Sequence, residues 1–183
     1  FGGISQAAEK RKLKYSYALQ EFEDELKEKI SKIPEDKLVE PDIQIIAPAL
    51  EASKYCIEKE ELRHMFAKLI SNSLSYDMFD KIHPIFSHII SSLTPLDVKI
   101  LIDLKEENKI DVIFSKYNNI MLSLHTLLQL GLIYFEQNFF NEEQSLESIK
   151  NGAFTIKYKS IYSSSDLTNT IITPLGYDFL KVC

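Results

Sequence analysis

Residues 82–97 read I-H-P-I-F-S-H-I-I-S-S-L-T-P-L-D, and two helices are predicted to begin within them. His83-Pro84 opens the first helix, with Pro at the first helical position, where its missing N–H costs nothing. Thr94 is the predicted N-cap of the second helix, and Asp97 follows it at the position of a capping-box partner. The apolar residues between them recur at the spacing of a core-facing helix; they are Ile85, Phe86, Ile89, Ile90 and Leu93. The stretch therefore predicts a structural hinge.

The part of the chain before the hinge predicts long helices. Residues 5–32 contain neither Pro nor Gly and place apolar residues at steps of three and four, which predicts one long helix. Residues 59–76 show a wide apolar face with acidic residues at the start, where the helix dipole favours them. Between these segments we predict an extended entry followed by a helix at about 49–57. Residues 1–93 are therefore predicted to form a helical bundle of about four helices.

The part after the hinge predicts shorter elements in the order of a winged-helix domain. The elements are a helix at 96–104, a strand or helical turn at 110–114, a helix at 118–130 ended by Gly131, strands at 132–135, 154–158 and 171–172, and a helix starting at Thr173-Pro174. We predict a mainly α fold in which residues 94–183 form a winged-helix-like module with a small β-hairpin or a three-stranded antiparallel sheet. The bundle and the module are either two domains or one continuous compact unit.

Composition places the chain among ordinary soluble proteins. Of its 183 residues, 45% are hydrophobic and 26% charged. No apolar run approaches the roughly 20 residues of a transmembrane helix. The two cysteines make no disulfide framework, which together with the composition predicts a cytoplasmic location.

Charge disfavours nucleic-acid binding, which usually needs a basic surface. The net charge is −6, and residues 94–183 carry eight Lys and Arg against eleven Asp and Glu. The helix predicted at 118–130, which a winged-helix protein would place in the major groove, contains no Lys or Arg. A DNA-binding module would use these contacts: Lys116, Asn118, Asn119, Gln129, Lys157 and Lys159. We treat DNA binding as the alternative to protein contact.

No sequence pattern predicts a catalytic, cofactor or metal site. The chain lacks H-E-x-x-H, paired cysteines and G-x-S-x-G. Glu60, Glu61 and His64 have the spacing of one helix face, and we interpret them as a solvated helix start. His83 is interpreted as a cap before Pro84. An enzyme, such as a nuclease-type effector, is therefore the third hypothesis.

Aromatic residues beyond Gly131 predict an interaction surface. Two adjacent phenylalanines in a polar segment are unusual if they are exposed, because exposed apolar patches tend to mark interfaces. The candidate residues are Tyr134, Phe135, Phe139 and Phe140. We expect a protein partner or self-association through them.

Five motifs in this order resemble the Abi-alpha family of bacterial abortive-infection proteins. They are E-L-x-x-x-F-A-x-L-I (61–70), H-P-x-F-x-x-I-I (83–90), L-T-P-x-D (93–97), L-G-L-I (130–133) and T-P-L-G-x-x-F (173–179). The resemblance extends over almost the whole chain. It implies a cytoplasmic bacterial protein connected with phage defence, and it supplies no active-site residues. Together with the residue patterns, it favours a non-enzymatic interaction or regulatory protein.

Overall fold

A computed structural model describes residues 2–107, 110–118, 120–135 and 170–183. In these residues the chain forms eight α-helices and two short strands. The elements are α1 Gly2–Ser31, α2 Ile43–Ser53, α3 Glu60–Ser73, α4 Ile85–Ser92, α5 Pro95–Glu107, α6 Ile110–Lys116, α7 Met121–Gln129, β1 Ile133–Phe135, β2 Thr170–Ile172 and α8 Pro174–Val182. The prediction of a mainly helical fold with a small antiparallel sheet is confirmed.

The predicted long first helix is α1, which packs against α3 through its apolar stripe. Ala18 and Phe22 are buried, and Tyr15 and Leu26 pack at the edge of the core. Residues 6–14 are exposed, so the first part of α1 extends beyond the bundle. Among residues 6–31 of this helix, the side chains that contribute to the core begin at Tyr15.

The prediction for residues 43–57 was wrong at its start. An extended entry was expected before Ala49, but α2 begins at Ile43. The side chain of Asp42 accepts a hydrogen bond of 2.8 Å from the Gln44 N–H and caps the helix. Pro48 lies inside α2, and its ring fixes a φ that suits a helix while removing one N–H donor. The Asp42 cap therefore lets the helix begin at Ile43 although Pro48 lies within it.

Both predicted helix starts in the hinge are present. Helix α4 begins at Ile85, so Pro84 is its N-cap and not its first helical residue as predicted. The His83 Nδ1 accepts a hydrogen bond of 3.2 Å from the Ile85 N–H in the turn before the helix. Thr94 and Asp97 form the reciprocal capping box, because the Thr94 N–H donates to Asp97 Oδ2 at 2.7 Å and the Asp97 N–H donates to Thr94 Oγ1 at 3.3 Å. Asp97 is only 2% exposed. Helices α4 and α5 meet at a bend of 110°.

We expect Asp97→Ala to lower the free energy of unfolding by about 1–2 kcal/mol, because it removes the side-chain acceptor of the Thr94 N–H and with it the capping box. Urea unfolding followed by circular dichroism measures this loss. Asp80→Ala is the control, since Asp80 is exposed. Equal unfolding midpoints for the two variants would show that the capping box does not stabilise the hinge.

The end of α7 forms the turn that leads into the sheet. Gly131 has φ +70, and the N–H groups of Gly131 and Leu132 donate to the carbonyls of Leu128 and Leu127 at 3.0 and 2.9 Å. This is a Schellman motif, and it confirms Gly131 as the residue after the helix. Strand β1 then pairs with β2 antiparallel, with Ile133 opposite Ile172.

The element order from α5 to β2 agrees with the order predicted for the module, and residues 110–116 resolve the open choice as helix α6. The third predicted strand, at 154–158, lies outside the described residues. The winged-helix assignment therefore stays a prediction.

One buried cluster contains residues from both sides of Leu93. Helix α3 packs against α1, α2, α4, α5 and α8. The rings of Phe86 in α4 and Phe179 in α8 meet edge to face, with centroids 5.7 Å apart. A domain boundary at residue 93 stays a prediction. Among the described residues, no single helix is both long and apolar enough to cross a membrane, although the bent pair of α4 and α5 meets those two criteria together.

Candidate functional site

Two surfaces have the chemistry of a functional site, and the first is a groove of about 930 Å³. Residues of α1, α3, α5 and α8 line it. Helix α3 packs against each of the other three, so it forms the floor between α1 and α5. We call this cavity the α3 groove.

Ion pairs show that α1, α3 and α5 run in the same direction along the groove. Near the start of α3, Arg63 lies 2.9 Å from Glu21 of α1, and Glu61 lies 2.8 Å from Lys99 of α5. About two turns later, Lys68 of α3 lines the groove together with Lys29 and Lys105, which lie further along α1 and α5. The groove therefore has an end near Glu60 and an end near Lys68.

The Glu60 end contains the three residues considered as metal ligands from the sequence. Glu61 binds Lys99, and this ion pair holds the pKa of Glu61 below its ordinary value. His64 instead contacts Glu25 of α1, with Nδ1 2.5 Å from Oε1, and Glu60 is exposed. In the described residues, no group of three or more His, Cys, Asp or Glu side chains is placed to hold a metal ion.

The Lys68 end is basic. Lys68 is half-buried, and its Nζ donates to the Leu180 carbonyl near the end of α8 at 3.1 Å. Burial lowers the pKa of Lys68; nearby Cys183 opposes this shift, whereas Lys105 and Lys29 add to it. Lys29 lies 3.5 Å from Glu25, and Lys105 has no ion pair with any residue that the structure describes. Three lysines from three helices thus share one end of the groove.

The second surface is the solvent side of α7, which we call the α7 face. Its exposed side chains follow a helical spacing; they are Met121, Leu122, His125 and Gln129, with Asn118 just before the helix. Leu122 is 75% exposed. The sequence of α7 contains no Lys or Arg. The α7 face is therefore polar and apolar but carries no fixed positive charge.

Lys116, the predicted phosphate contact nearest α7, is exposed but already pairs with Asp103 and Tyr117. Its Nζ lies 2.7 Å from Asp103 Oδ2 and 5.4 Å from the centre of the Tyr117 ring. The Tyr117 hydroxyl donates to the same Asp103 oxygen at 2.7 Å. Burial opposes ionisation of Asp103, but these two hydrogen bonds hold its pKa below the ordinary value. Lys116 would have to leave this network to bind a phosphate.

The sequence matches the model of the family described as abortive infection alpha over residues 14–183. The chain belongs to the Abi-alpha family. Comparison with curated proteins and with solved structures gave no match.

The aromatic residues predicted as an interaction surface in this Abi-alpha chain lie partly outside the described residues. Tyr134 is exposed on β1, directly opposite Ile171 of β2. Because opposed residues of an antiparallel pair share a face, Tyr134 and Ile171 form an outer apolar face of the sheet. Phe135 is the last residue of β1. Phe139, Phe140 and three predicted nucleic-acid contacts, Asn119, Lys157 and Lys159, lie outside the described residues.

Sequence reasoning about the Abi-alpha chain missed the α3 groove. Lys29, Lys68 and Lys105 lie on different helices and are each more than thirty-five residues from the next. No local motif connects them, and each alone looks like an ordinary surface lysine. Only the common direction of α1, α3 and α5 brings them to one end of a cavity.

Proposed function

We propose that this Abi-alpha chain is a non-enzymatic interaction protein of the phage-defence response, and that the α7 face is its protein-contact surface. The observation that supports this most directly is Leu122, which is 75% exposed on a helix without any basic residue. Family membership supports the connection with abortive infection.

Charge argues for a protein partner rather than DNA. Affinity for DNA depends largely on neutralising phosphates with Lys and Arg. The α7 face supplies none, and Lys116 beside it already pairs with Asp103. Interface centres, by contrast, are depleted in charge and enriched in aromatic residues and Met. Met121 and Leu122 in the middle of the α7 face agree with such a centre.

The sheet extends this surface with the predicted residue Tyr134. Its ring is exposed beside Ile171, and β1 follows α7 after a single tight turn at Gly131. Helix α7 packs against β1. A partner that covers the α7 face would therefore reach the sheet as well. We infer one continuous contact surface formed by the α7 face and Tyr134.

We expect Leu122→Asp to abolish phage protection in cells that carry the gene, raising the plating efficiency of phage by about tenfold or more, which corresponds to the loss of one interface hot spot. The change places a charge at the centre of an apolar contact without touching the core. Plating efficiency and co-purification of partners from infected cells, identified by mass spectrometry, are the two measurements.

Leu13→Asp is the matched control, because Leu13 is also exposed, at 56%, but lies on α1. Circular dichroism of both variants verifies that they fold. Unchanged protection and an unchanged set of partners for Leu122→Asp would refute the proposed contact surface. Micromolar, salt-dependent duplex binding that is weakened by Lys157→Ala and Lys159→Ala would favour a DNA-binding regulator instead.

A further inference from the structure

The Lys68 end of the α3 groove gathers positive charge that the α7 face does not use. Lys29, Lys68 and Lys105 all line this groove, each from a different helix. We propose that this end of the groove binds the phosphate chain of a nucleoside polyphosphate, whose sugar and base lie along the groove towards Glu60. The proposal does not depend on the contact surface assigned to α7.

Lys68 is the centre of the site because its charge is incompletely balanced. Its Nζ donates one hydrogen bond, to the Leu180 carbonyl. A helix C-terminus offers only a fractional negative charge, and an ammonium group has three N–H donors. Burial lowers the pKa of Lys68, Cys183 opposes this shift, and the two neighbouring lysines add to it. A bound polyanion would balance the charge of Lys68.

A purely structural role for Lys68 does not explain why two further lysines lie at the same end of the groove. Capping the end of α8 accounts for the hydrogen bond to Leu180, and Asn72 caps the same end through Val182 at 2.8 Å. Capping does not account for Lys29 and Lys105 beside Lys68, since both lower its pKa. Phosphate recognition accounts for all three lysines.

Most glutamates that line the groove are already paired. Glu28 binds Lys32 at 2.6 Å, Glu61 binds Lys99 at 2.8 Å, and Glu25 is shared by Lys29 and His64. Lys105 has no ion pair with any described residue, and its charge remains available. Glu106, the neighbour of Lys105, also lines the groove without an ion pair to a described residue. With Lys29 and Lys32 paired to Glu25 and Glu28, the charges of Lys68 and Lys105 stand against that of Glu106, so this end of the groove keeps an excess of one positive charge.

The rest of the groove fits the other parts of a nucleotide. Its volume of about 930 Å³ lies within the range of small-molecule pockets. Met65, Val98 and Ile102 supply apolar wall between the two ends. Glu60 lies about 12 Å along α3 from Lys68, at 1.5 Å per residue, and its free carboxylate can accept hydrogen bonds from hydroxyl or amino groups. Inorganic phosphate would use the lysines alone.

Isothermal titration of the full chain with ATP, GTP, CTP, UTP and inorganic triphosphate tests the proposal. We expect at least one nucleoside triphosphate to bind saturably at one site and more tightly than inorganic triphosphate. Lys105→Gln should weaken this binding about tenfold, because it removes one charge-assisted contact. Lys105 is exposed, so the variant is expected to fold like the wild type.

Lys27→Gln is the matched control, since Lys27 lies on α1 outside the groove lining and pairs with Glu23 at 3.9 Å. Absence of saturable binding by all five ligands would overturn the proposal. Equal weakening by Lys105→Gln and Lys27→Gln would also overturn it, because it would show general charge attraction. Inorganic triphosphate bound as tightly as every nucleotide would overturn the nucleoside assignment. Leu122→Asp should keep nucleotide binding, which separates this test from that of the α7 face.

Discussion

Gly176→Ala is expected to lower the free energy of unfolding by about 3 kcal/mol, the upper part of the usual cost of overpacking. A Cβ at this position would collide with the Leu132 carbonyl oxygen and lie 2.7 Å from Ile172 Cγ2. Gly176 lies in the first turn of α8, where alanine would otherwise be the better helix former by about 1 kcal/mol. The expected loss therefore opposes helix propensity, which makes its sign informative.

The carbonyl that the new Cβ would displace is part of a small hydrogen-bond network. Leu132 O accepts from the Thr173 N–H at 3.0 Å and lies 3.2 Å from Thr173 Oγ1. The same hydroxyl lies 2.6 Å from Gly131 O and caps α8 by accepting from the Gly176 N–H at 2.9 Å. Moving Leu132 would thus disturb the end of α7, the start of β1 and the start of α8 together.

Gly131→Ala is the control for this experiment. Gly131 has φ +70, but among the described residues a Cβ there would meet only Leu175 Cδ2, at 3.7 Å. Its cost is therefore limited to backbone strain of about 1–2 kcal/mol. Thermal and urea unfolding of both variants give the comparison. A Gly176→Ala protein as stable as the wild type, or more stable than Gly131→Ala, would contradict the close packing of α8 against β1.

The ends of the helices show how much of this fold can be predicted from the sequence. Thr94, Asp97, Thr173 and Gly131 act through hydrogen bonds or backbone angles within a few residues, so their roles follow from local sequence. Gly176 is different, because its neighbours Leu132 and Ile172 come from other elements. No local pattern around Gly176 indicates that a side chain would not fit there.

The two candidate surfaces differ in the same way. The helix of the α7 face and its lack of basic residues were predicted from the sequence, but the predicted interaction surface was Tyr134, Phe135, Phe139 and Phe140, and the exposure of Met121 and Leu122 was not foreseen. Lys116 beside it was predicted as a phosphate contact, and its pairing with Asp103 depends on how α5 packs against α6. The α3 groove depends entirely on the packing of α1, α3, α5 and α8, so no stretch of sequence could reveal it.

Helix α8 packs against the bundle at the Lys68 end of the α3 groove, so its contacts contribute to the stability of the fold. Phe179 is fully buried and meets Phe86 of α4 edge to face. Lys68 and Asn72 of α3 donate to carbonyls at the end of the same helix, at 3.1 and 2.8 Å. The last helix of the described chain therefore contacts residues of the predicted bundle, 1–93, as well as strand β2.

We expect Phe179→Ala to lower the free energy of unfolding by about 3–5 kcal/mol, the usual cost of removing a buried phenylalanine ring. Because the Phe179 ring contacts Phe86 of the predicted bundle, the loss should be shared by the bundle and the C-terminal part. Native-state hydrogen exchange measures this, as amides of α3 and of α5 should lose protection to the same extent. Tyr177→Ala on the exposed side of α8 is the control.

The pattern of the loss decides between one cooperative unit and two domains. If α3 keeps its protection while α5 and α8 lose theirs, the chain has two domains, with a boundary near residue 93. A double-mutant cycle with Phe86→Leu and Phe179→Leu isolates the ring contact itself, for which we expect about 0.5–1.5 kcal/mol. A coupling energy near zero would mean that the two rings meet without holding the bundle to the module. In that case the packing of α3 against α5 and the polar contacts Glu61–Lys99, Lys68–Leu180 and Asn72–Val182 would connect the two parts.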